Sequence, residues 1–411
     1  MRDRLAWGAL ALTALFAIAP GALAAVPVVS AKSAIMIDGV TGQILFAKNI
    51  HDRRPQASTT KMMSALVAIE RGKLSDTVVA STASSLVNGS SIYLVPGERL
   101  TLEQLLYGMM LNSGNDATTA VAEHIAGDLD HFVALMNQKA HELGLQDTHY
   151  VNPHGLPVPG HYSSAYDLAA IARYALANPR FAEIAATKTR ELPGNQRIKR
   201  RLLVNHNKLL RYFPGAWGGK TGYTTVAGKC FVGSARRDGR FVIEALMDDP
   251  NCWADAEQLL NYGLDDFQSV PVAQAGATVA QVPVRGGQRP AVGAVLGAPV
   301  SLSVPKGGDR PAVKTAFQVT TGLRAPVAAG QVVGHYQVFS GPTLLADMPL
   351  VAAEAVPTMG PVWGALSGVL GWFLKGGTLA VALYGLGQWW QARRARGRRR
   401  AKKLSGPALR S

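Results

Sequence analysis

The chain has 411 residues, 48% of them apolar and 17% charged, which suits two or three domains and a sizeable core. Its formal charge of +15 is uneven, because residues 391–411 alone carry nine Lys or Arg and no acid. A basic run beside an apolar segment marks the cytoplasmic side of a membrane, so the charge excludes a general nucleic-acid binder and no nucleic-acid partner is expected.

The N-terminus has the make-up of an export signal. Arg2 and Arg4 precede an apolar stretch from Leu5 to Pro20, and Ala22-Leu23-Ala24 offers a small-x-small cleavage site. Residues 1–24 are therefore expected to be a signal peptide, cut after Ala24. Next come two short strands, AIMID and QILFAK, joined at Gly39-Val40-Thr41-Gly42, and a helix that contains Lys61 and runs to about Arg71. Thr101 and Gln104 form a capping-box pattern for a helix with the apolar body LLYGMML, which stops near Ser113-Gly114. Helical patterns follow at about 116–126, 129–143 and 166–177. Strands return at Cys230–Ala235 and Arg240–Met247, turning at Asp238-Gly239, and a last helix covers about Ala254 to Tyr262. Strands at both ends with helices between them predict an α/β layer fold over residues 25–265. Its sheet should be mostly antiparallel, because the end strands come in hairpins.

From Gln268 to Val356 the chain is rich in Val, Ala, Gly and Pro, with alternating runs such as VSLSV and VVGHYQV. That pattern predicts a small all-β domain over 268–356, a spacer or docking module. Between Ala355 and Ala392 the only charge is Lys375, so Pro361 to Trp390 is expected to span or anchor to a membrane. Residues 391–411 then form a cytoplasmic tail, and the rest faces outward. The two cysteines, Cys230 and Cys252, fit equally a disulfide in an oxidising compartment or two buried thiols.

Three motifs carry the chemistry. Ser58 precedes Lys61 by three residues in QASTTKMM, which puts both on one face of a helix. A serine hydroxyl needs a base, and a lysine serves when burial or a nearby cation lowers its pKa. The helix N-terminus adds partial positive charge and backbone N–H groups beside the serine. Ser113-Gly114-Asn115 ends an apolar helix, where a polar triplet can project into a cleft. Lys220-Thr221-Gly222 lies in GGKTGYTT, just before a strand, where Gly218, Gly219 and Gly222 let a ligand approach the backbone. No cofactor or metal is called for, since His154, His161 and His206 lack the ligand spacing of a metal site and read as loop histidines.

The order S-x-x-K, S-x-N, K-T-G resembles the penicillin-recognising serine enzymes, and most closely the low-molecular-weight penicillin-binding proteins, which are D-alanyl-D-alanine carboxypeptidases. The stretches NGSSIYLVPGERLTLEQLLYGMMLNSGNDA, NPHGLPVPGHYSSAYDLA and KTGYTTVAGK extend the resemblance over nearly the whole chain. It implies that Ser58 is the acylated nucleophile, Lys61 its base and Ser113 a proton relay. Asn115 would bind the substrate amide, and Lys220 with Thr221 would hold its terminal carboxylate. The N–H groups of Ser58 and Tyr223 would form an oxyanion hole, and Gly222 and Tyr223 would bind the substrate together with Lys220 and Thr221. The implied substrates are peptidoglycan stem peptides ending in D-Ala–D-Ala, and β-lactams would be covalent inhibitors. One departure stands out: VNHNKLL places His206 where relatives often carry a carboxylate-binding arginine, leaving Lys208 or a distant arginine to compensate. The alternatives are a serine β-lactamase, a wall endopeptidase, or a non-catalytic wall-binding scaffold. The segment Asp147 to Arg180 holds no glutamate to serve a class A β-lactamase.

Overall fold

The structure, a computed structural model, describes residues 25–359. The expected signal peptide, membrane segment and basic tail lie outside the described residues. Chain order begins with β1 (Ser33–Asp38) and β2 (Ile44–Lys48). A 3-10 turn, Ala57–Thr60, leads into α1 (Lys61–Arg71), followed by β3 (Thr77–Val79), α2 (Thr82–Ser85) and β4 (Arg99–Thr101). Helices α3 (Leu102–Leu111), α4 (Asn115–Ala126), α5 (Leu129–Glu142), α6 (Ala165–Leu176) and α7 (Pro179–Ala186) come next. The hairpin β5 (Thr189–Leu192) and β6 (Arg201–Val204) precedes α8 (Leu209–Tyr212), β7 (Ala216–Thr224), β8 (Gly228–Arg237), β9 (Arg240–Met247) and α9 (Cys252–Asp265).

Five of these strands form an antiparallel sheet in the order β2-β1-β9-β8-β7, which leaves β7 on an edge. The two-residue period of a strand sorts its side chains onto two faces. Ile35 and Ile37 face a large core with Met62, Met63 and Leu66 of α1, Leu168 of α6 and Ile184 of α7. Ala34 and Met36 face a smaller core with Leu209 of α8 and Leu259 and Leu260 of α9. α1 is buried at every position from Lys61 to Ala68, as expected of a helix enclosed on all sides. Burying one of its Leu or Met side chains contributes about 1.5–3 kcal/mol. α3 starts at the capping box seen in the sequence, with Thr101 accepting from the Gln104 backbone and the Gln104 side chain accepting from Thr101 N–H.

The C-terminal part of the described chain is all strand: β10 (Phe267–Ala273), β11 (Thr278–Pro283), β12 (Ala291–Leu296), β13 (Val300–Pro305), β14 (Lys314–Val319), β15 (Val332–Ser340) and β16 (Thr343–Ala352). β10 pairs with β13, and a second five-stranded sheet runs β11-β12-β16-β15-β14. The described residues fall into two compact bodies. The first holds everything up to Gln274 with Pro299–Ala316 and Tyr336–Met348, and the second holds the remainder. Among the described residues, no helix is long and apolar enough to cross a membrane.

Two expectations need correction. Lys220-Thr221-Gly222 lies inside β7 and not before a strand. Its glycines are set by close packing within the sheet: a Cβ on Gly219 would sit 2.0 Å from the Val232 carbonyl oxygen of β8. Ser58 lies on the 3-10 turn, one turn ahead of α1 itself.

Candidate active site

The serine turn is tied down by its own threonines. Thr59 Oγ1 donates to Gln56 O at 2.6 Å and Thr60 Oγ1 donates to Ala57 O at 2.8 Å. Ala57 sits in the left-handed region at φ +47°, a conformation that costs a non-glycine residue about 1 kcal/mol or more. His161 Nε2 lies 2.9 Å from Thr60 Oγ1 and braces the turn from behind. Ser58 is left half-exposed at the wall of a cavity.

Lys61 is fully buried, and its ammonium meets three oxygens. Nζ donates to Ser58 Oγ at 2.9 Å, to Asn115 Oδ1 at 2.7 Å and to the His154 carbonyl at 2.7 Å. Burial, and secondarily the charge of Lys220, hold its pKa well below the usual lysine value, against the pull of Asp116. Both effects shift Lys61 toward the neutral amine beside the serine hydroxyl.

The second motif links α3 to α4. Ser113 takes φ +59°, and Asn115 opens α4. Asn115 is clamped at both ends: Oδ1 accepts from Lys61, and Nδ2 donates to Asn88 O at 2.6 Å. Buried Asp116 accepts from Ser91 Oγ and from the Ile92 and Leu94 N–H groups, which fixes the strand-like segment facing the link. From β7, buried Lys220 donates to Ser113 Oγ at 3.1 Å and to Thr221 O at 2.9 Å. Burial lowers the Lys220 pKa to about 7. Thus Ser58, Lys61 and Asn115 form one hydrogen-bonded set and Ser113 with Lys220 a second, brought to one site from positions up to 162 residues apart in sequence.

A cavity of about 430 Å³ opens over this site. Ser58, Ser113, Thr221, Gly222 and Tyr223 line it on one side. Gly222 is there for space, since a Cβ would lie 2.9 Å from Ser58 N. As an edge strand, β7 also keeps one row of backbone N–H and C=O groups unpaired by the sheet and open to an extended ligand. A nucleophile, a buried amine base, a relay hydroxyl and a cation converge here on one peptide-sized space, which is the equipment of acyl transfer.

A profile described as "D-alanyl-D-alanine carboxypeptidase" matches residues 21–251, and one described as "Penicillin-binding protein 5, C-terminal domain" matches residues 267–358. The chain belongs to the D-alanyl-D-alanine carboxypeptidase family. It is 34% identical over 340 residues to the D-alanyl-D-alanine carboxypeptidase DacF of Bacillus subtilis, covering 80% of this chain and 87% of the relative. To DacA of Escherichia coli K12 it is 32% identical over 347 residues, with 81% and 85% covered. The crystal structure of penicillin binding protein 5 from Haemophilus influenzae superposes with a TM-score of 0.63 at 29% identity, covering 81% of this chain and 99% of that one. The fold is thus that of the penicillin-binding proteins, an α/β catalytic domain followed by a β domain.

Several neighbours in this family member were not foreseen from sequence. The His154 carbonyl supplies one acceptor to Lys61, and Gly155 lets its loop lie against the serine turn, where a Cβ would come within 1.9 Å of Ala57 O. The rings of His154 and His161 are buried, which lowers their pKa values to about 3 and about 4, so both are neutral structural groups at physiological pH. His206, read from sequence as a loop histidine at the place where relatives often carry an arginine, lines the cavity. Its flanking Asn205 and Asn207 are buried, Asn205 Nδ2 donating to Ala185 O and Thr187 O at the end of α7 and Asn207 Oδ1 accepting from Leu209 N–H, while His206 between them is exposed. Lys208 is not part of the cavity wall, and its Nζ lies 5.7 Å from the Trp253 ring centre. Cys230 and Cys252 are both free, buried thiols at the cavity wall, which decides between the two readings left open for them. Among the described residues, no group of three His, Cys, Asp or Glu side chains is placed to hold a metal.

Proposed function

We infer that this chain is a serine-type D-Ala–D-Ala carboxypeptidase that removes the terminal D-alanine from peptidoglycan pentapeptides through an acyl-enzyme. One observation carries the reading: the set of acceptors around Lys61. A neutral amine has two N–H bonds and one lone pair. Asn115 Oδ1 and the His154 carbonyl accept only, so together they take both hydrogens. The lone pair then faces Ser58 Oγ, which is what a base for that hydroxyl requires.

In this mechanism Ser58 Oγ attacks the carbonyl of the penultimate D-alanine while Lys61 takes its proton. The developing oxyanion is bound by the Ser58 and Tyr223 N–H groups. Ser113, held by Lys220, passes a proton to the departing amine, and D-alanine leaves. Lys220 and Thr221 bind the carboxylate that the substrate presents, a charge-assisted contact that favours terminal over internal peptides. Asn115 keeps Lys61 in place and, by giving up Asn88 O, offers its amide to the substrate. Water then hydrolyses the ester at Ser58. β-Lactams acylate the same serine.

The same reading assigns residues 25–265 to catalysis and 268–356 to a module that holds the site away from the membrane. Pro361–Trp390 anchors the chain in the bacterial cytoplasmic membrane, with 391–411 inside and the enzyme on the outer face after cleavage of residues 1–24. The test is to incubate the purified full chain and its Ser58→Ala variant with a fluorescent penicillin and with a peptide ending in D-Ala–D-Ala. A stable label and D-alanine release, both lost in Ser58→Ala, are expected. Rapid turnover of the penicillin instead would assign a β-lactamase, and no label on folded protein would leave a binding scaffold.

A further inference from the structure

The β5–β6 hairpin takes no part in the chemistry above, yet it holds the charge of the whole described chain. Residues 25–359 carry 30 Lys and Arg against 26 Asp and Glu, and residues 188–201 supply six of those cations and one of those acids. Without the hairpin, the rest of that span is one charge acidic. Glu191 answers Arg200 at 2.9 and 3.1 Å, and Glu98 answers buried Arg201 at 2.8 Å. Lys188, Arg190, Arg197 and Lys199 are exposed and stand in no ion pair among the described residues. Arg190 lies over the Tyr107 ring at 4.8 Å and Arg197 donates to Leu94 O at 3.5 Å, contacts that position both side chains but answer neither charge, so four like charges on one hairpin are left to repel one another.

The hairpin is firmly held. Leu192 and Leu203 are buried, Arg201 pairs with Glu98, and Asn195 Nδ2 donates to Glu98 Oε2 at 2.6 Å and to Tyr93 O at 2.8 Å. It also borders the site. The β6 residue Val204 donates its N–H to Asn112 Oδ1 at 2.9 Å, immediately before Ser113. The Tyr93 contact joins the other end to the segment that begins with Ser90 on the cavity wall. A cationic surface is therefore fixed on a hairpin that is bonded at both ends to segments leading into the cavity that contains Ser58.

We propose that this hairpin docks the polymeric, polyanionic form of the substrate: peptidoglycan strands whose neighbouring stem peptides carry free carboxylates. The proposal rests on the carboxypeptidase reading and names the physical form of its substrate. A single short peptide offers the cavity one terminal carboxylate, whereas a strand brings many past the hairpin. Each exposed cation–carboxylate contact is weak, but several on one tethered chain raise the local concentration of the next stem. The effect belongs to capture, and salt screens it.

The test uses the full chain and a Lys188→Glu/Arg197→Glu/Lys199→Glu variant, none of these residues being part of the catalytic network. D-alanine release is measured on polymeric peptidoglycan and on a short peptide whose only anion is its terminal carboxylate. At low salt, kcat/KM on the polymer is expected to fall on the order of ten-fold, while the short peptide stays within about two-fold. High salt should bring the wild type down to the variant on the polymer alone. Unchanged polymer cleavage, or an equal loss on both substrates in a variant that still takes a penicillin label, overturns the proposal. So does retention of the wild type on anionic lipid vesicles but not on wall polymer, which would assign the hairpin to a membrane surface. If the variant fails to fold, the wild type's salt dependence on the two substrates decides by itself. A wild type that takes no penicillin label sinks the carboxypeptidase reading, and co-sedimentation with wall polymer then still tests the hairpin.

Discussion

The two faces of the central sheet both bury charge, and they handle it differently. On the α1 face, Lys61 and Lys220 are enclosed, and their Nζ atoms lie within hydrogen-bond distance of five oxygens between them. On the α9 face, Glu244 is fully buried and neither carboxylate oxygen has a partner. Asp249 and Asp255 nearby share Ser30, whose hydroxyl reaches them at 2.6 and 2.7 Å. Burial pushes the Glu244 pKa well above the usual carboxyl range, with help from both aspartates, which favours the neutral acid. A perturbed buried group is thus not by itself a site. What distinguishes the α1 face is that its lysines are bonded to Ser58 and Ser113, which open on the cavity, whereas none of the three acids is part of its wall.

Substitutions test that contrast most strongly on the α1 face. Ser58→Ala should abolish the covalent label while melting like the wild type. Lys61→Ala should lower D-alanine release by on the order of 10⁴-fold, nearly as much as loss of the serine, because the two act as one unit. If Lys61→Ala kept most of the activity, the lone-pair argument would fail. Gly222→Ala comes next, at about 10²-fold, since its methyl would displace the Ser58 backbone by a fraction of an ångström to an ångström. An unchanged rate of acylation in that variant would show that the turn has room to give.

A smaller effect should follow pH. Lys220 is held near 7 instead of the usual 10.5, so the free enzyme loses its ammonium charge as pH rises past that value. KM for a D-Ala–D-Ala peptide should climb between about pH 6 and about pH 9, and a flat profile would remove Lys220 from carboxylate binding. The smallest effect belongs to the α9 face. A carboxyl whose pKa is raised on folding adds stability below its unfolded value and loses it as pH rises through the folded one. Glu244→Gln should therefore be nearly neutral below the usual carboxyl range and increasingly stabilising as pH rises above it, read as a Tm difference. Loss of D-alanine release in this variant would erase the distinction between the faces.

Much of the site was legible because its motifs are local. Ser58 and Lys61 are spaced by a helical turn, and Thr101 with Gln104 announced α3, because both signals act over three residues. β7 was misplaced because glycine reads as a loop signal from sequence, whereas Gly219 and Gly222 are required here by neighbouring strands and turns. α7 went unread although Asn178 caps it and Pro179 opens it, a standard helix start. The hairpin β5–β6 was hidden by its charge, since six cations in 14 residues mask the alternation of Leu192 and Leu203. The acceptors of Lys61 and Asn115 that lie far off in sequence, the His154 and Asn88 carbonyls, could not be read at all. A backbone oxygen carries no side-chain signature.

That last point bears on how the enzyme can change over generations. One of the three oxygens that orient Lys61 belongs to the main chain, so no codon replacement at position 154 deletes it. The mutable element is its neighbour, where any side chain would strike the Ala57 carbonyl. A saturation library selected for D-alanine release should therefore accept many residues at His154 and glycine alone at Gly155. The heritable weak point of the catalytic base then lies at a residue that never touches it.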